Sequence, residues 1–375
     1  MKKIICLIVV IGVFSFPCFA TEPTTEIMNE IESELITFKN SLPKEIIDFL
    51  PKEIWEGDFS QLINGNFNEA TMLDLVVDYL FLGLRSALNS FAGILIIIVI
   101  SSIFNTLSMS FSNDSLKATF SLASTLCIAI SVFNICTSIS SSVNNYIMAL
   151  CSIMEAFSPL MVTLYLMTGN ISSAAISSAS FMLFISIIER FLIVFMLPII
   201  NICICFNIMK CFGNQFDFSG LSKILKNTFT GVTIFVMSIF MFVLSTKNVL
   251  TQTADSISIK TAKFAISSFI PIVGSTVNEA LRTITASMSL IKNSCGIIAI
   301  IAITLLMLPV IISLILNRLL FNITSSITKA LNCNTECSVI DEASSICGFL
   351  LALVLCTCIL FIFALTILIK SSVVL

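Results

Sequence analysis

The sequence predicts an all-α, polytopic membrane protein with about seven transmembrane helices, and two observations support this fold class. Hydrophobic residues make up 57% of the 375 residues and charged residues only 11%, with a mean hydropathy of +1.07. A soluble domain carries about 25% charged residues, so this chain has too few charges to cover its surface in water. Apolar stretches of nearly 20 residues also recur after Leu84, without the alternating pattern of barrel strands.

The N-terminus has the pattern of a secretory signal. Lys2 and Lys3 precede an apolar run, which ends in the small-residue cleavage pattern before Ala20. We therefore predict a signal peptide over residues 1–20 that is cleaved after Ala20. An uncleaved membrane anchor is the alternative, because the two kinds of segment differ mainly in length.

An acidic region follows the predicted signal. Of the 22 acidic residues, 13 lie between Glu22 and Asp78, and Ile27, Ile31 and Leu35 recur there at helical spacing. We interpret residues 21–83 as a small helical extracytoplasmic domain and residues 84–375 as the polytopic membrane domain.

The predicted membrane segments are uneven in length. They cover residues 88–107, 117–138, 157–167, 176–209, 229–244, 296–316 and 346–369. The 176–209 segment is too long for one crossing and short for two, which predicts a tight hairpin or a broken helix. Glu189 and Arg190 interrupt it, either as intramembrane charges that face a cavity or, as we favour, as the polar turn of a hairpin. The number and orientation of crossings between Phe157 and Met209 stay open.

A second interruption defines the candidate structural or pore segment. Pro271 and Gly274 break an apolar run after Phe269, and the capping box 276–279 then predicts a new helix with one apolar face. Two interpretations remain: a re-entrant element buried in protein or lining a cavity, and a surface helix after an ordinary loop. The candidate residues of this segment are Phe269, Pro271, Gly274, Glu279, Arg282 and Lys292, with Lys292 expected at the edge of an interface.

The sequence offers no catalytic, cofactor-binding or metal-binding motif. Histidine is absent, which excludes Ser-His-Asp and Cys-His nucleophile pairs and His-ligated metals, and no phosphate-binding glycine loop is present. We therefore predict that the protein is not an enzyme and needs no cofactor. No basic patch indicates nucleic-acid binding. Cys333 and Cys337 lie in a polar loop, where a disulfide is one alternative and free thiols are favoured.

Three parts of the chain resemble the stage III sporulation AE family of endospore-forming Firmicutes. They are residues 42–51, residues 158–169, and residues 263–274 followed by 290–293, in matching order and spacing. The resemblance implies a membrane subunit, structural or channel-forming, of the complex that links mother cell and forespore. Such a subunit lies in the mother-cell membrane around the forespore and is required for forespore development after engulfment.

The resemblance also implies partners and leaves one alternative open. The implied partners are other stage III sporulation membrane proteins of the complex, including a separate cytoplasmic ATPase, together with the lipid bilayer. Homo-oligomerisation stays open. The alternative function is a self-sufficient secondary transporter or permease for a small solute, with Pro198, Pro271 and Pro309 as markers of its binding site. We find no convincing internal repeat, and we therefore favour the complex subunit.

Overall fold

The computed structural model describes residues 25–42, 44, 47, 69–108, 114–167, 171–209, 219–269 and 274–370. In this part of the chain every regular element is helical. The elements are α1 Thr25–Ser41, α2 Glu69–Ser108, α3 Asp114–Met167, α4 Ile171–Arg190, a π-helical segment Phe191–Met196, α5 Leu197–Met209, α6 Ser219–Phe269, α7 Gly274–Ala330 and α8 Asn334–Lys370. The predicted signal peptide lies outside the described residues.

The predicted fold class is confirmed. Six helices in the described part are long and apolar enough to cross a membrane, through Gly83–Ile103, Leu122–Met167, Ala179–Phe206, Gly220–Lys247, Ile291–Ala330 and Asn334–Ile369. The expected number was about seven, and the difference arises in α3. The predicted segments 117–138 and 157–167 are parts of this one helix, because the polar stretch between them contains no glycine or proline that would end it.

The segment between Ile176 and Met209 is a broken helix and not a hairpin. α4 ends at Arg190, six residues follow in π-helical conformation, and α5 continues the same helical path from Leu197. The interpretation of Glu189 and Arg190 as a hairpin turn is therefore wrong. An inserted π segment shifts the helical register while the backbone continues in one direction, and for this reason the chain does not need a turn here.

α7 and α8 form a long antiparallel hairpin closed by a three-residue turn. The amide of Cys333 donates to the carbonyl of Thr328, and the amide of Asn332 donates to Lys329. Asn332 has a positive φ of 58°, the left-handed conformation that a Schellman cap requires. The next helical bond, from the Cys337 amide to the Cys333 carbonyl, starts α8 at once.

The helices share one hydrophobic core, and α1 belongs to it. Phe38 and Leu42 are buried, and the Phe38 ring packs against Phe157 of α3 with centroids 5.4 Å apart. The apolar face expected from the helical spacing is therefore used against a membrane helix. The division into domains at residues 20 and 83 stays a prediction, because residues 51–68 lie outside the described part.

The capping box marks the start of a helix much longer than we expected. α7 begins at Gly274, close to the predicted cap, and continues for 57 residues to Ala330. The amphipathic stretch after Gly274 is therefore continuous with the membrane segment that follows it. It is not a separate surface helix. Whether the chain between Phe269 and Gly274 re-enters the membrane stays a prediction, since residues 270–273 are outside the described part.

Candidate functional site

The predicted pore segment surrounds the junction of α6 and α7. Phe269 is the last residue of α6 and Gly274 the first of α7, while Pro271 lies outside the described residues. Glu279 and Arg282 both lie in the first turns of α7.

Lys292 has a different environment from the one we expected. Its side chain is 0% exposed, and Nζ lies 5.0 Å from the centroid of the Tyr165 ring, a cation–π arrangement. The Tyr165 hydroxyl in turn donates to the carbonyl of Leu368. The edge position predicted for Lys292 is therefore wrong, because α3 and α8 both close over this part of α7.

Glu189 and Arg190 lie within a candidate membrane segment, immediately before the π-helical residues. Glu189 is half-buried and Arg190 is exposed, and neither forms an ion pair with another described residue. In the described part of the chain, no hydrogen bond or ion pair joins Glu189 or Arg190 to Lys292.

A buried carboxyl group joins three helices near the α7–α8 turn. Glu336 of α8 is 2% exposed, and its Oε1 accepts hydrogen bonds from Ser101 Oγ at 3.0 Å and from Ser124 Oγ at 2.9 Å. The two serine hydroxyls also lie 3.0 Å apart. Ser101 belongs to α2 and Ser124 to α3, and Glu336 therefore holds both helices against the start of α8.

A second polar contact attaches α6 to α8. Lys226 forms an ion pair with Glu342, and the two side chains are only 11% and 13% exposed. Ser222 donates to the same Glu342 oxygen at 2.7 Å, while Lys226 also donates to Ser345 Oγ at 2.9 Å. This shielded ion pair fixes the position of α6 along the axis of α8.

The two arms of the hairpin are also joined by polar groups. Lys329 pairs with Asp341 at 2.9 Å, and Ser325 donates to the other oxygen of that carboxyl group.

Cys333 and Cys337 are both free thiols. Cys333 Sγ is directed to Ser101 Oγ and Cys337 Sγ to Ser325 Oγ, on different sides, which agrees with the prediction of free thiols.

Two cavities flank a polar stretch of α3. The first, of about 420 Å³, lies between α2, α3 and α7 and is lined by residues that include Gly83, Asn134, Ser138, Ser142, Pro309 and Asn317. The second, of about 560 Å³, lies between α3, the π-helical segment and α5, and is lined by residues that include Thr137, Ser140, Ser141, Asn144, Pro198 and Asn201. Within the described residues no cluster of cysteine and carboxylate side chains could hold a metal ion.

The comparison with known proteins concerns most of these helices. The model of the family described as stage III sporulation protein AE matches residues 56–372, from before α2 to just past the end of α8. The chain belongs to this family. The stage III sporulation protein AE of Bacillus subtilis is 23% identical over 339 residues, which cover 89% of this chain and 84% of that protein. No solved structure matches.

Membership of the stage III sporulation protein AE family confirms the resemblance and supports a role in that stage of sporulation. The family is one of sporulation membrane proteins and not a known enzyme family.

The matched range contains the Glu336 contacts, the Lys226–Glu342 pair and both cavities. Sequence reasoning missed these contacts, although an acidic residue two positions after the start of an apolar helix is a signal that could have directed attention to Glu336.

Proposed function

We propose that this protein is a membrane subunit of the complex that joins mother cell and forespore in stage III of sporulation. It is required for forespore development after engulfment and has a structural or channel-forming role. The family match supports the sporulation stage. The distribution of exposed apolar residues along the helices supports the assignment to a complex.

Exposed apolar side chains occur along most of the described helices, and two groups of them, the tip belt and the base belt, lie at different heights of the molecule. The tip belt, near the α7–α8 turn, consists of Ile96, Val99, Ile100 and Ile103 of α2. The base belt consists of Phe235, Ile239 and Phe242 of α6. Each belt presents large side chains with no protein cover in the monomer.

The outer ends of the two belts are too far apart for one bilayer to cover both. Ser101, within the tip belt, bonds to Glu336, while Phe240 in the base belt packs on Phe184, which packs on Phe361. Glu336 and Phe361 are about 25 residues apart on α8, or about 38 Å at 1.5 Å per residue. The hydrocarbon core is about 30 Å thick. The outer end of one belt therefore lies outside it, where another protein must cover the exposed side chains to keep them from water.

The charge distribution indicates which of the two belts extends out of the hydrocarbon core. The base half of the hairpin, residues 296–316 and 348–369, contains no charged residue. The tip half carries five charged residues: Arg318, Lys329, Glu336, Asp341 and Glu342. Charges are costly in hydrocarbon. The base belt therefore suits lipid and the tip belt suits a partner subunit.

The partners in this proposal are other stage III sporulation membrane proteins, which include a separate cytoplasmic ATPase. The membrane is the mother-cell membrane around the forespore. A second copy of this chain is the other protein that could cover the tip belt, and a homo-oligomer within the complex would satisfy the same requirement.

Deletion of the gene in its sporulating host tests this function. We expect normal vegetative growth and normal engulfment, followed by arrest of the forespore and a loss of heat-resistant spores. A plasmid copy with unchanged sequence should restore spore formation. Normal spore counts in the deletion strain, or arrest before engulfment, would contradict the proposal.

A second candidate function is a self-sufficient permease for a small solute, and it is favoured by the two cavities, whose linings include hydroxyl and amide side chains. It differs from the first candidate in one measurable respect. Purified protein alone in liposomes should accelerate solute flux if it is a permease, whereas a subunit that needs its partners should not.

A further inference from the structure

One cation of the α7–α8 hairpin has no counter-charge within the described part of the chain. The three carboxyl groups of the hairpin already have partners, namely Glu336 with two serine hydroxyls, Asp341 with Lys329 and Glu342 with Lys226. Arg318 is exposed and forms no hydrogen bond or ion pair with a described residue. Because a guanidinium group stays charged at neutral pH, Arg318 is open to an anion from outside the chain.

The Arg318 side chain lies against the backbone of α8. A Cβ atom at Gly348 would lie 3.1 Å from Arg318 Cζ and 3.3 Å from its Nε and Nη1 atoms, so the missing side chain at Gly348 permits this close approach. One turn further along α7, the side-chain oxygen of Asn322 accepts a hydrogen bond of 2.6 Å from Ser344 of α8. Residues four apart lie on one face of a helix, so Asn322 places amide donors beside the guanidinium group.

The position of Arg318 along α7 coincides with the end of the charge-free part of the hairpin. The base half, residues 296–316 and 348–369, contains no charged residue and extends for about 32 Å at 1.5 Å per residue. This length matches the hydrocarbon core of about 30 Å. With the base half in lipid, as the proposed function assigns it, Arg318 lies at the level of the lipid head groups.

An exposed apolar surface continues from Arg318 toward the base of the hairpin. Leu355 and Ile359 lie two and three turns below Gly348 on the same face of α8, and both are exposed. Ile315 of α7, one turn below Arg318, is exposed as well. A cation above an apolar surface matches the two parts of a phospholipid, its phosphate and its acyl chains.

We propose that Arg318 binds the phosphate of an anionic phospholipid, with an acyl chain along Leu355 and Ile359. Arginine binds phosphate through two parallel N–H···O bonds, and the single negative charge of a phosphatidylglycerol head group balances the single charge of Arg318. The inference rests on the assignment of the base half to lipid in the proposed function. Spore formation tests that function, whereas lipid binding is measured on the protein alone, and the two therefore fail separately.

The lipid preference of the purified full-length protein tests the site. Native mass spectrometry from detergent would give the dissociation constants of phosphatidylglycerol and of phosphatidylcholine with the same acyl chains. We expect phosphatidylglycerol to bind about tenfold more tightly, as a charge-assisted hydrogen bond predicts. Glycerol 3-phosphate in about tenfold excess over the lipid should not displace it, because it has no acyl chain. Equal affinity for the two lipids, or displacement by glycerol 3-phosphate, would overturn the proposal.

Replacement of Arg318 tests the named cation. Arg318→Gln should reduce the preference for phosphatidylglycerol to about twofold or less, since the charge is lost. Gly348→Ala retains the charge but displaces the guanidinium group from α8, and it should also reduce the preference. Lys223→Gln is the matched control, because it removes an exposed cation of α6, and it should retain the tenfold preference. An unchanged preference in Arg318→Gln, or in Gly348→Ala if Arg318→Gln fails to fold, would overturn the assignment.

A carboxylate of a partner subunit is the competing occupant of this surface. Benzoylphenylalanine in place of Ile315, one turn from Arg318, would identify the occupant in sporulating cells by mass spectrometry of its adducts. We expect adducts with phospholipid. Adducts with another protein at position 315 would show that a subunit covers Arg318 and would overturn the lipid site.

Discussion

Ser124 Oγ of α3 donates a hydrogen bond of 2.9 Å to Glu336 Oε1 of α8, across 212 residues of sequence. Ser101 of α2 donates to the same oxygen, so one carboxyl group fixes two other helices near the hairpin turn. The tip belt lies on the neighbouring turns of α2. The Glu336 contacts therefore hold in place the surface that we assign to a partner subunit.

Loss of the Glu336 carboxyl group should destabilise the protein. We expect Glu336→Ala to lower the free energy of unfolding in detergent by about 1–3 kcal/mol, because the buried Ser101 hydroxyl and the half-buried Ser124 hydroxyl lose their shared acceptor. Glu336→Gln retains a carbonyl oxygen and should cost less. Thr335→Ala, at the exposed neighbouring position, should have an effect within about 0.5 kcal/mol. Equal stability of Glu336→Ala and Thr335→Ala would contradict this account.

The Lys226–Glu342 pair should show strong coupling. Lys226→Met alone removes the cation that balances the shielded Glu342 carboxylate, and we expect a loss of about 3–5 kcal/mol in the free energy of unfolding. The double variant Lys226→Met with Glu342→Leu should recover most of this loss, since no uncompensated charge remains. Lys223→Met, at an exposed position of the same helix, is the control. Additive effects of the two substitutions would show that the pair is not coupled.

Gly296 permits the close approach of α7 and α8. A Cβ atom there would overlap the Ile369 side chain, whereas a Cβ at Gly93 would meet no atom within 4 Å. We expect Gly296→Ala to cost about 1–3 kcal/mol of stability through overpacking. Gly93→Ala should be neutral or stabilising, because alanine favours helix. Ile369→Ala in the Gly296→Ala background should restore stability, and no restoration would show that the contact is not the cause.

The sequence predicted the parts of the fold that depend on local patterns. The apolar stretches became helices. The bounds of 88–107 and 176–209 are near those of the candidate segments Gly83–Ile103 and Ala179–Phe206, whereas 296–316 lies inside the much longer segment Ile291–Ala330. The length of the 176–209 stretch predicted a broken helix as one of two alternatives, because 1.5 Å per residue limits what one crossing can contain. The polar residues of α3 were misleading, since they lowered local hydropathy without ending the helix.

The contacts that join the helices could not be predicted in this way. Ser101 and Ser124 are ordinary small polar residues in sequence, and their common partner Glu336 lies more than 200 residues away. The burial of Lys292 likewise depends on Tyr165 of α3, a residue distant in sequence. Helical periodicity gives the face on which a residue lies, but it does not give the helix that covers that face.

Photo-crosslinking in sporulating cells tests the central claim most directly. Benzoylphenylalanine would replace Ile100 in the tip belt or, in a second strain, Phe242 in the base belt, and adducts would be identified by mass spectrometry. We predict that position 100 crosslinks to another stage III sporulation membrane protein or to a second copy of this chain, and that position 242 crosslinks to lipid only. Lipid adducts alone at position 100, in a strain that still forms heat-resistant spores, would contradict the assignment to a complex.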